Sequence, residues 1–266
     1  MLISFITESE KRMSFTEKAN RVLRFLTGRK RPKTAAVILA AGLGTRMKGT
    51  EGRTKQLLTL DGKPLFMHSV LAFDASGYID ELVLVVRKEE FREVRRTLKS
   101  YKLKKPLRLT VGGDTRQASA RRGLDAISDK MEYIAIHDAA RCLITEEMIA
   151  KVVSAAYACR AASAGTPVTD TVKQVNKDGF VERTIDRETL YRAQTPQVFE
   201  CKLYRAATYV ALEKKQAVTD DNMLVELIGQ TVKMVDCGTE NIKVTAKEDL
   251  TLARIILRAR AEQSNG

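Results

Sequence analysis

From Thr34 onward the chain is a succession of short, unbroken apolar runs, each followed by a stretch whose apolar residues recur every three or four positions. The run TAAVILA (34–40) soon meets Gly42, as a strand buried on both faces does before it turns. ELVLVV (81–86), LRLTVGG (107–113) and YIAIHDA (133–139) repeat that pattern. Between them lie helical spacings: PLFMHSVLAFDAS (64–76), with Pro64 at its start, the charged segment 89–99, and QASARRGLDAI (117–127). TEEMIAKVVSAAYACRA (145–161) opens on Thr145, a good N-cap. Alternation of this length predicts an α/β fold, a Rossmann-like, mostly parallel sheet with helices on both faces.

Between Thr166 and Val198 the rhythm breaks. PVTDTVKQVNKDGFVERTID reads as a β-hairpin turning at Lys177–Gly179, the core of a projecting arm over about 168–198. Alternation then resumes with a helix near 200–213, a strand at 231–235, a short strand at 241–245 and a final helix from Ala246 to about Ala261. Residues 1–33 stand apart as a basic N-terminal extension. Within it SFTEKANRVLRFL (14–26) predicts a short helix, with Ser14 and Glu17 as a capping box and Gly28 and Pro32 to end it. The expected organisation is that extension, followed by one domain over 34–266 that carries the arm.

Composition narrows the class. With 266 residues, 44% of them hydrophobic, the chain has enough apolar surface for one large core. No apolar run nears the roughly 20 residues of a membrane span. Cys142, Cys159, Cys201 and Cys237 stand far apart with no C-x-x-C pair, the usage of reduced thiols in a cytoplasmic protein. The net charge of +13 arises entirely in two segments: nine Lys/Arg against three Glu in residues 1–33, and ten against three in residues 87–108. Neither interleaves aromatic with basic residues, and the chain has no tryptophan, so affinity for small anions is at least as natural a reading as nucleic-acid binding.

The chemistry gathers after the strands, where ligands bind in open α/β sheets. Behind the first strand comes AAGLGTRMKGTEGRTKQL, where Gly42 and Gly44 allow a tight turn and Arg46 and Lys55 bring positive charge. A dinucleotide fingerprint would need glycine where Met47 stands, and a Walker A loop would need Lys-Ser/Thr after Gly49. Spacing alone leaves a phosphate cradle and a plain turn equally open.

Further residues decide between them. AAVILAAGLGTRM followed by KQLLTLDGKPLFMHSV resembles the nucleotidyltransferases that activate sugar phosphates. With VGGDTRQASARRGL, IAIHDAAR, PVTDTVKQV, DRETLYRAQTPQVF and ENIKVTAKEDL in collinear order, residues 34–260 resemble the 2-C-methyl-D-erythritol 4-phosphate cytidylyltransferase family. The resemblance implies attack of a polyol phosphate oxygen on the α-phosphorus of CTP. It also implies a Mg²⁺ cofactor and a homodimer formed through the arm.

Residue by residue, the resemblance makes Arg46 and Lys55 the catalytic pair, and Ala40, Ala41, Gly42, Gly44, Gly113, Asp114, Ser119 and Ala139 the nucleotide contacts. Gly112, Gly113 and Asp114 would offer the base backbone groups with little steric cover. Asp138 ends a buried strand, where a carboxylate facing triphosphate oxygens needs a cation, and it is the expected Mg²⁺ ligand. Arg141 is expected to line the pocket, and Thr171, Arg187 and Lys243 to bind the polyol phosphate. Thr171 and Arg187 would do so in the partner's active site. His68 and His137 read as core histidines. Two positions depart from the family's pattern: Thr54 and Cys142 stand where prolines are expected, and Thr54 should loosen the loop that holds Lys55. A ribitol 5-phosphate cytidylyltransferase is the nearest alternative, and a non-catalytic RNA-binding protein on the same scaffold is one from another class.

Overall fold

The structure is a computed structural model that describes residues 31–42 and 54–265. The chain divides into a unit Met1–Pro32 and a unit Lys33–Gly266, and the account that follows is of the second. The expected helix at 14–26 and the loop residues Gly44 and Arg46 lie outside the described residues.

A seven-stranded sheet forms the centre, in the order β11-β7-β10-β6-β1-β4-β5. Its strands are β1 (Thr34–Leu39), β4 (Glu81–Val86), β5 (Leu107–Val111), β6 (Tyr133–Asp138), β7 (Ala161–Pro167), β10 (Tyr191–Glu200) and β11 (Lys233–Asp236). All neighbours run parallel except β10, which is antiparallel to both β6 and β7. Every residue of β1, β4 and β6 is buried, which is why these strands read as unbroken apolar runs.

Helices cover both faces. On one lie α1 (Leu65–Ala75), α2 (Phe91–Leu98) and α4 (Glu146–Cys159), packing Phe66, Val70, Phe73, Val94 and Val152 on Ile38 and Leu84. On the other lie α3 (Arg116–Ala126), α5 (Cys201–Glu213) and α6 (Asp221–Glu226), with Leu124, Tyr204 and Val225 against Val37 and Val85. The chain builds β1, β4 and β5 outward through α1 and α2, then returns through α3 on the opposite face to lay β6 on the far side of β1. Right-handed crossovers in opposite directions must use opposite faces. The reversal opens a crevice at the carboxyl ends of β1 and β6. A third, smaller cluster seats α7 (Lys247–Asn265) through Leu250 and Ala253 on Leu60, Leu65, Cys142 and Val244. Leu60 belongs to a minimal hairpin of β2 (Thr59–Leu60) and β3 (Lys63–Pro64).

Several sequence expectations change. Residues 241–245 form no strand; they are held instead by a Val244 N–H to Ala140 C=O bond and by side chains. The helix expected to reach 161 ends at Cys159, because Arg160 turns left-handed at φ 68° and releases the chain into β7. The antiparallel part of the arm is only β8 (Val172–Val175) and β9 (Val181–Ile185), while residues 191–198 belong to β10 in the main sheet. Helix α6 and strand β7 lie where the sequence pattern predicts no element. All four cysteines are free, and Cys142, Cys201 and Cys237 are buried. No helix among the described residues is long and apolar enough to cross a membrane.

Candidate active site

The crevice is a cavity of about 330 Å³ whose wall brings together Ala41, Gly42, Lys55, Gly113, Asp138 and Lys243. Each arrives from a different element. Leu39 and Asp138 are paired in register at the ends of β1 and β6, so the carboxylate stands where the two strands part. Ala40 is buried and bonded to the sheet through its N–H to Val85 C=O, leaving Ala41 and Gly42 to line the opening. Ala139 is fully buried, and its neighbour Ala140 reaches the wall.

Asp138 is the electrostatic centre. Its Oδ2 accepts from Lys243 Nζ at 2.6 Å and its Oδ1 from Arg116 Nε at 3.1 Å. Burial by itself would raise its pKa, but the Arg116 and Lys243 charges outweigh it and hold the carboxyl well below the usual carboxylate range. Arg116 in turn donates from Nη1 to Asp221 Oδ2 at 2.7 Å. Asp221 is buried at the start of α6, where Tyr204 Oη donates to Oδ1 and Gln197 Oε1 accepts the Asp221 N–H. The same burial pushes the Asp221 pKa up, against the pull of Arg116.

Lys243 holds its place without a strand. Asn241, fully buried, donates to Gln194 Oε1 and Thr195 C=O, and Asp249 Oδ2 accepts the Thr245 and Ala246 N–H groups. Arg141 donates to Asn241 C=O at 2.8 Å and to Ala193 C=O at 3.3 Å, pinning this loop to β10 instead of lining the cavity. Lys55 opens a short 3-10 helix (Lys55–Leu57) and donates from Nζ to Val244 C=O at 3.0 Å.

The glycine wall follows from helix α3. Its N-cap Thr115 accepts the Ala118 N–H, and the helix start presses so close that a Cβ on Gly113 would stand 2.6 Å from that of Ala118. Gly113 therefore has to be glycine. Its backbone is less open than expected, since Ser119 Oγ accepts its N–H and donates to its C=O. Asp114 and Ser119 both line the cavity.

His137 is fully buried, with Nδ1 3.0 Å from Thr195 Oγ1 and its ring 5.0 Å from that of Phe73; burial lowers its pKa to about 3. It is a neutral core residue, whereas His68, expected in the core, is only half-buried, with Nε2 2.7 Å from Leu60 C=O. Thr171 and Arg187 lie on the exposed arm, Arg187 bonded to Thr169 C=O, and neither lines this cavity.

Two residues of the site were missed in the sequence. Arg116 sits inside VGGDTRQAS and immediately follows the N-cap, a detectable position. Asp221 gives no signal beyond a capping Asp-Asp pair, because only folding carries it 105 residues along the chain to Arg116.

A glycine-walled cleft lined by Lys55, Arg116 and Lys243, at the strand-order reversal of a mostly parallel sheet, marks an α/β enzyme that handles phosphorylated nucleotides. The family model for 2-C-methyl-D-erythritol 4-phosphate cytidylyltransferase (IspD) matches residues 34–259. The cytidylyltransferase of that name from Caldanaerobacter subterraneus subsp. tengcongensis is 41% identical over 225 residues, covering 84% of this chain and 98% of that protein. The one from Pelotomaculum thermopropionicum is 44% identical over 229 residues, covering 86% and 95%. Among solved structures, 4-diphosphocytidyl-2C-methyl-D-erythritol synthase from Anaerococcus prevotii superposes with a TM-score of 0.76 at 30% identity, covering 85% of this chain and 99% of that one. The chain belongs to the 2-C-methyl-D-erythritol 4-phosphate cytidylyltransferase family and is a nucleotidyltransferase.

Proposed function

We infer that this chain transfers the cytidylyl group of CTP to 2-C-methyl-D-erythritol 4-phosphate, a step in isoprenoid precursor synthesis. A phosphate oxygen of the polyol phosphate attacks the α-phosphorus, the bond to the β-phosphate bridging oxygen breaks, and pyrophosphate leaves. The protein forms no covalent bond. It aligns two polyanions and steadies the charge that builds on the α-phosphoryl oxygens. The observation that carries this reading is the convergence of Lys243 and Arg116 on Asp138, in a cavity that Lys55 also lines.

The roles follow from placement. Lys55 and Arg46 are proposed to hold the α-phosphoryl group, and Asp114, Ser119 and the Gly113 wall to meet the cytosine and ribose. Asp138 is proposed to carry Mg²⁺. Both of its oxygens accept from cationic side chains, Lys243 and Arg116, so the ion would take the place of one of these donors at the carboxylate. The ion would draw charge from the phosphoryl oxygens, with the other donor remaining beside it.

The arm is proposed to reach a second copy of the chain. Phe180, Val181 and Val175 are exposed on it at 72%, 60% and 51%, and Thr171 and Arg187 have no role at their own cavity. A homodimer in which the arm carries both residues to the partner's polyol phosphate accounts for each feature. Cytoplasmic residence agrees with the four free cysteines.

The test is pyrophosphate release from CTP with either polyol phosphate. Release is expected to depend on 2-C-methyl-D-erythritol 4-phosphate; faster turnover with ribitol 5-phosphate would overturn the assignment.

A further inference from the structure

Thr54 precedes Lys55, and the structure changes its meaning. Its backbone, at φ −76° and ψ 155°, is the conformation a proline would impose. It stands at the N-cap of the Lys55–Leu57 helix, yet its hydroxyl makes no capping bond. Glu90 stands likewise at the N-cap of α2, and its carboxylate makes no capping bond either. The Thr54 hydroxyl is used elsewhere: Thr54 Oγ1 donates to Glu90 Oε1. Both residues are buried, at 7% and 8% exposure.

We propose that the Thr54–Glu90 hydrogen bond is the element that positions Lys55, in place of the stiffness of a proline. The inference rests on the functional reading above, in which Lys55 acts on the triphosphate. Glu90 lies in the connection from β4 to α2, a fixed part of the sheet's carboxyl edge. The bond therefore ties the residue before Lys55 to that edge, while Val244 C=O holds the Lys55 ammonium from the other side. Thr54 and Glu90 work as a set. A T54P substitution would suit the backbone and still leave the Glu90 carboxylate buried without its hydroxyl partner.

The experiment separates positioning from stability. T54V, T54S, E90Q, E90M and T54V/E90M are compared by thermal melting and by steady-state pyrophosphate release from CTP. T54V and E90M are each expected to lower kcat about tenfold with KM for CTP nearly unchanged, because Lys55 works in the transition state. T54S and E90Q keep a hydroxyl donor and an oxygen acceptor, and should retain most of the activity. In T54V/E90M both polar partners are gone, so the melting temperature recovers while the loss in kcat stays, no larger than in either single variant. A double variant with recovered melting and wild-type kcat would show a bond that serves stability alone and would overturn the proposal. If the double variant does not fold, T54V assayed below its melting temperature decides by the same criterion. Absence of pyrophosphate release from the wild-type protein would instead remove the functional reading, and with it this inference.

Discussion

Lys243 Nζ lies 2.6 Å from Asp138 Oδ2, a contact between residues 105 positions apart that closes the cavity at the end of β6. The carboxylate is the hub of the site, and the lysine is the side of it that solvent still reaches, at 37% exposure against 11%.

That asymmetry makes a first prediction. K243M takes one of two cations from a buried carboxylate, so it should lower stability and, assayed below its melting temperature, lower kcat/KM about a hundredfold, the usual loss for one preorganised charge at a phosphoryl centre. D138N should lose at least as much. Steady-state pyrophosphate release checks both, and a K243M enzyme within about threefold of wild type would dismiss the hub.

The Asp221 end of the network should behave differently. Its carboxylate is 1% exposed and pairs with Arg116, so D221N leaves a guanidinium short of one partner inside the fold. Losing one charge-assisted hydrogen bond of this kind typically destabilises by about 1.5 kcal/mol. Denaturant unfolding should register that loss, and KM for CTP should rise as Arg116 loosens. An unchanged unfolding midpoint would remove Asp221 from the account.

Glu90 gives a pH dependence of opposite sign to the familiar carboxylate. Burial pushes its pKa up from 4.5, with the Thr54 hydroxyl and Arg87 pulling it back only in part. A raised native pKa means that the folded chain keeps this proton longer than the unfolded chain does. Its contribution is fully present below pH 4.5 and is lost as pH rises through the folded value. The slope is at most about 1.4 kcal/mol per pH unit for one proton. E90Q cannot titrate, so its stability relative to wild type should climb across that window. Parallel stability curves for the two proteins would contradict the assignment.

Much of this molecule was legible in one dimension. Unbroken apolar runs such as TAAVIL are what strands buried on both faces require, and β1, β4 and β6 emerged where those runs lie. The carboxylate at the end of β6 was visible for the same reason, because a parallel sheet must deliver its strand ends to one edge. His137 was readable as a core residue from the apolar strand around it.

The tertiary structure alone decided the rest. Residues 241–245 look like a strand by composition, yet no sheet edge pairs with them, and the buried Asn241 and the capping Asp249 hold Lys243 instead. Strand β10 escaped because pairing with β6 and β7 is a long-range choice that its own polar sequence does not announce. The hydrogen bond from Thr54 to Glu90 could not be read from the sequence, since the two lie 36 residues apart. The same holds for Arg116 and Asp221. Local periodicity reports which face of an element is apolar, whereas hydrogen bonds and charges are satisfied by whatever the fold brings near, and that pairing exists only in three dimensions.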